Sequence, residues 1–84
     1  MITSQILQQL KQIGKANNWD AIYDVGYFNG RPLYLLRNSN IPHGAKTGRP
    51  HLYSLTLTGS VFALDDEQIH KATVSYKGFS KRLQ

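Results

Sequence analysis

The chain has 84 residues, 40% of them apolar, and no cysteine. That is one domain near the lower size at which a single core suffices, with disulfide staples and thiolate metal sites excluded. Ten Lys and Arg stand against five acids, a formal charge of +5, which favours anionic partners and also serves solubility.

Residues 3–16 predict an amphipathic helix. Ile6, Leu7, Leu10 and Ile13 fall on one stripe, and Thr3 or Ser4 is placed to accept the free amide hydrogens of the first turn. Gly14 or the pair Asn17-Asn18 should end it. A helix this short is marginal alone in water, so its stripe must pack on something. The opening MITSQILQQLKQ lacks the basic start and unbroken apolar run of a signal peptide. No apolar run approaches the ~20 residues of a membrane span, so a cytoplasmic protein is expected.

Residues 19–28 predict a strand and 31–37 its return, joined by Asn29-Gly30, which suits the positive φ of a type I′ hairpin turn. Strict alternation puts Tyr23, Val25 and Tyr27 on one face and Ile22 and Phe28 on the other. Pro32 has no amide hydrogen and belongs at a strand start or edge. Residues 38–50, NSNIPHGAKTGRP, form a long irregular link, and links of this length are often functional.

Residues 51–58 alternate, with His51, Tyr53, Leu55 and Leu57 opposite Leu52, Ser54, Thr56 and Thr58. That predicts a strand with one buried face. Gly59-Ser60 turns the chain, and residues 61–64 pair back with Phe62 and Leu64 inward. Asp65 with Gln68 has the spacing of a capping box for a short helix, and Asp66 and Glu67 suit its first turn. Residues 72–76 alternate and offer a fifth strand instead. The expected fold is α+β: an N-terminal helix packed on a four- or five-stranded antiparallel sheet of successive hairpins, with a short C-terminal helix or strand. Residues 1–78 form the domain and 79–84 a mobile basic tail. Small sheets often cover an edge with a second copy, so a homodimer is a candidate state.

Charge is unevenly spread. Residues 37–64 carry Arg37, Lys46 and Arg49 and no acid, and every charged residue after Glu67 is basic. The tripeptide Gly-Arg-Pro occurs twice, at 30–32 and 48–50. As grammar it ends a turn and opens a strand. As a site it would place Arg31 and Arg49 at one end of the sheet as a phosphate clamp, with Lys46 assisting, because a guanidinium takes two oxygens at once. GRPHLYSLT also resembles the wing of winged-helix transcription regulators, which reads G-R-P-x-x-Y-x-L-T; Gly48, Arg49, Pro50, Tyr53, Leu55 and Thr56 match. The resemblance implies a wing hairpin touching the DNA backbone and three helices before it, whereas residues 19–37 read as a β-hairpin.

Three functions follow. The first is a small, non-enzymatic module binding DNA or RNA, with Arg31, Arg37, Lys46, Arg49, Lys77, Lys81 and Arg82 on phosphates. The second is a protein-interaction or inhibitor module acting on an acidic protein surface through a sheet edge or exposed tyrosines. In either, Tyr27, Tyr34 and Tyr53 are the candidate stacking or interface rings. The third is a ribonuclease-like toxin using His43, His51 and His70 in acid-base roles. The histidine spacing is not that of a zinc site, AKTGRP lacks the glycine-rich run of a P-loop, and no cofactor or metal is expected.

Overall fold

The computed structural model describes residues 3–40, 51–74 and 82–83. Chain order is α1 (Ser4–Asn17), β1 (Ala21–Phe28), β2 (Arg31–Arg37), β3 (His51–Leu55), β4 (Val61–Ala63), α2 (Asp66–Lys71) and β5 (Thr73–Val74). The fold is α+β: the N-terminal helix packs on an antiparallel sheet of successive hairpins, and a short helix follows near the C-terminus. Strand order is β4-β3-β2-β1-β5. Before β3 the described residues form one helix and one β-hairpin, so the three-helix arrangement implied by the winged-helix resemblance is not the fold of this chain.

Local chemistry sets the ends of both helices. Thr3 caps α1, its hydroxyl accepting from the Ile6 amide at 3.2 Å. The helix runs through Gly14 and ends at Asn18, whose φ of 61° is left-handed. The Trp19 amide then donates to the Gly14 carbonyl at 2.7 Å and the Asn18 amide to that of Lys15 at 3.5 Å. This pairing satisfies two of the carbonyls left over at a helix end. Gly14 serves a close approach: a methyl group there would strike the Trp19 carbonyl oxygen. Asp65 caps α2 in a full capping box with Gln68.

The sheet is covered on both faces. On one, α1 lays Leu10 against Ile22, Tyr34, Leu36 and Tyr53, with Ile6, Leu7, Ile13 and Trp19 around them. On the other, Ala21, Tyr23, Val25, Phe28, Leu33, Leu35, Leu52 and Leu64 are sealed by Phe62, Ile69 and Ala72. Each fully buried leucine is worth about 1.5–3 kcal/mol relative to exposure. The one-faced strand expected at 51–58 is therefore corrected, since Leu52 and Ser54 are as buried as Tyr53. The Ser54 hydroxyl is satisfied by donating to the Pro32 carbonyl at 2.9 Å.

Two further departures have local causes. The strand stops at Leu55, because Thr56 turns the chain: its amide donates to the Ser60 carbonyl, and its hydroxyl accepts from the Ser60 amide. Leu57 then sits on the turn, 89% exposed rather than inward. In β1, Asp24 pairs with Tyr34 but Gly26 pairs with Leu33, leaving Val25 as the extra residue of a β-bulge. Gly26 takes φ 149°, a backbone conformation that side chains disfavour. After the bulge the faces exchange. Phe28 joins Tyr23 and Val25, while Tyr27, opposite Pro32, goes to the α1 face and is 62% exposed.

The outer edge of β1 is covered twice. Gly26 and Tyr27 pair with β5. Within the stretch expected to be a tail, Arg82 bridges Tyr23 and the Leu83 amide donates to the Ile22 carbonyl at 2.7 Å. Residues 75–81 and 84 lie outside the described residues. Among the described residues, no helix is long and apolar enough to cross a membrane.

Candidate functional site

Of the two Gly-Arg-Pro turns, the first lies among the described residues and the second, at 48–50, does not. Arg31 opens β2, opposite Phe28 beside the Asn29-Gly30 turn, whereas His51, two residues after Arg49, pairs with Leu36 near the other end of β2. The expectation that Arg31 and Arg49 share one end of the sheet falls on Arg49, which is not among the described residues. Arg49 itself, with Lys46 and His43, lies outside the described residues, as do Lys77 and Lys81.

The end of the sheet away from Arg31 gathers more chemistry. There α1 finishes, β1 begins, β2 ends and β3 begins. An open groove of about 380 Å³ runs along it, lined by Lys11, Gly14, Lys15, Asn18, Trp19 and Asp20. Lys11 and Lys15 are one helical turn apart and project on the same side. Both are exposed, and among the described residues no ion pair joins either to a carboxylate. Lys15 lies in the last turn of α1, where its charge suits the helix dipole. Trp19 is half-buried, packs against the α1 cluster and is part of the groove lining. Gly14 contributes no side chain, which leaves the groove floor low.

Hydrogen bonds fix the rim. The Asp20 carboxylate accepts from the Ser39 amide at 2.7 Å and from the Ser39 hydroxyl at 2.6 Å. Asn38 donates to the Asn18 carbonyl at 3.1 Å and accepts from the Asn40 amide at 2.9 Å. The root of the acid-free link is thereby tied to the turn that follows α1. The Ser39 hydroxyl and amide hold the Asp20 carboxyl below its ordinary range, and the charge of Arg82 adds to the shift. Arg82 is exposed and within electrostatic reach of this rim.

The other expected residues are dispersed. Arg37 is 7% exposed at the end of β2 and engaged within the chain. Tyr34 and Tyr53, 2% and 7% exposed, are core rings under α1. Burial pushes both phenols above their ordinary value, and for Tyr34 the Asp24 carboxylate adds to the rise. Tyr27 is the open ring of the three. His70 is exposed in the last turn of α2, which covers the face opposite α1. The side chain of His51 lies outside the described residues. Among the described residues, no three His, Asp or Glu side chains gather as metal ligands.

Sequence reasoning passed over Lys11, Lys15 and Trp19 as site residues. The available signal was a pair of lysines four apart leading directly into an aromatic residue beyond the helix cap. No protein-family model matches the chain, and neither a curated protein nor a solved structure resembles it at a significant level.

Proposed function

We propose that the chain is a small, non-enzymatic nucleic-acid-binding module that holds phosphates at the end of the sheet where α1 finishes. The observation that carries this reading is the groove in which the exposed Lys11 and Lys15 flank Trp19, beside Arg82 and the root of the acid-free link. The arrangement of acids favours it as well. Asp65, Asp66 and Glu67 are spent on the cap and first turn of α2, where Glu67 meets Lys71 at 3.6 Å. Asp20 is occupied by Ser39. Phosphate contacts of this kind give position and affinity with little sequence preference.

Fluorescence anisotropy of labelled DNA and RNA at two salt concentrations tests the proposal. Binding should weaken log-linearly with salt, and a Lys11→Ala/Lys15→Ala double variant should lower the slope by about 1 for each lysine. A folded protein that binds no nucleic acid at low salt would overturn it. A second reading, protein interaction, is favoured by the 62% exposure of Tyr27 beside Pro32. Aromatic anchors commonly dominate interfaces, so that reading requires partner binding to be lost on Tyr27→Ala and kept in the double lysine variant.

A further inference from the structure

We infer that the groove at the end of α1 receives one unstacked base against Trp19, so that the nucleic acid taken by this chain is single-stranded. The inference rests on the reading above and narrows its substrate class.

Phosphate attraction alone does not need a groove, since lysines on a flat surface supply it. Here the lysines border a recess of about 380 Å³ that has Trp19 in its lining, within the ~300–1,000 Å³ of small-molecule sites. Lys11 and Lys15 are exposed, and Trp19, half-buried, lines the recess between the helix end and β1. A planar base against an indole, with backbone phosphates on flanking ammonium groups, is the usual arrangement of sequence-tolerant single-strand binders. A base within a duplex keeps its faces stacked and cannot enter such a recess without being turned out. The rim adds donors and acceptors at Asn18 and Asp20. Since Gly14 and the Trp19 carbonyl are in close approach, the ring is carried on a backbone fixed to the helix rather than on a free loop. The site uses only α1 and the turn into β1.

The chain has a single tryptophan, so its emission reports on this groove alone. The test titrates the full chain with an oligothymidylate, an abasic deoxyribose-phosphate oligomer of the same length and a duplex of that length. It reads label anisotropy and Trp19 emission together. The expected result is quenching of Trp19 by the oligothymidylate, with affinity on the order of ten-fold weaker for the abasic strand, in line with the worth of one base stacked on an aromatic ring. Trp19→Phe should keep the preference for thymidylate over the abasic strand, and Trp19→Leu should abolish it. Should Trp19→Leu fail to fold, the emission of the unaltered chain decides the question by itself. Equal affinity for the abasic strand with unchanged emission would overturn the base site and leave the phosphate reading standing. A duplex bound at least as tightly as the single strand would do the same. Absence of binding to all three would overturn both.

Discussion

Gly14 sits where two demands on one residue conflict. Within a helix, alanine in its place would gain about 0.5–1 kcal/mol of backbone entropy. The added methyl group, however, meets the Trp19 carbonyl oxygen, a backbone atom that cannot turn aside, and overpacking of that kind costs about 1–3 kcal/mol. Gly14→Ala should therefore lose about 1 kcal/mol net, read as a lower urea midpoint; an unchanged or raised midpoint would mean that residues 18–20 yield. Asp20 makes a pH-dependent prediction. Its folded pKa lies below the unfolded value of 3.8, so its contribution is fully present above that pH and is lost as pH falls through the folded value. The Ser39 amide resonance should follow that titration, and Asp20→Asn should remove it.

At the scale of elements, the short helix α2 depends on its ends and its underside. Its six residues include none that is buried, and it is held by the capping box and by Ile69 and Ala72 on the sheet. Asp65→Ala should cost about 0.5–2 kcal/mol, seen first as faster amide exchange across Asp66–Lys71, and Asp65→Ser should restore most of it. Such features were legible in the sequence because they are local. Thr3, the Asn29-Gly30 turn and the Asp65/Gln68 pair each dictate backbone geometry within four residues. The bulge at Val25 and the stop at Leu55 were not legible, because both depend on what the neighbouring strand and turn offer. Alternation in 51–58 suggested one wet face; the second cover, α2, comes from a segment too short to show a stripe.

For the whole molecule, covering both faces with helices places tyrosines in the centre. Tyr34 and Tyr53 have pKa values raised above the ordinary 10. A raised folded value means that the neutral form is favoured by folding. Their contribution is full below pH 10 and lost as pH rises through the folded values. Alkaline titration should accordingly show their tyrosinate absorbance appearing together with loss of the far-ultraviolet helical signal. Candidate sites were less legible than the fold for a reason of the same scale. Whether Arg31 and Arg49 meet depends on the course of the link between β2 and β3, which no local pattern in residues 38–50 dictates. Lys11, Lys15 and Trp19 were overlooked because a groove is a property of where the chain goes after its helix cap.

The bulge in β1 also sets how the gene tolerates length changes. Upstream of Val25 the strand is in one phase with its neighbour, and downstream it is in the other. Removal of the Val25 codon would restore an unbroken alternation and leave Tyr27 and Phe28 on their present faces, because Gly26 would follow Asp24 directly and still meet Leu33. A one-residue deletion at this point is thus absorbed by the bulge itself, whereas straightening the strand with its length unchanged would send the Tyr27 phenol into the interior and the Phe28 ring into water.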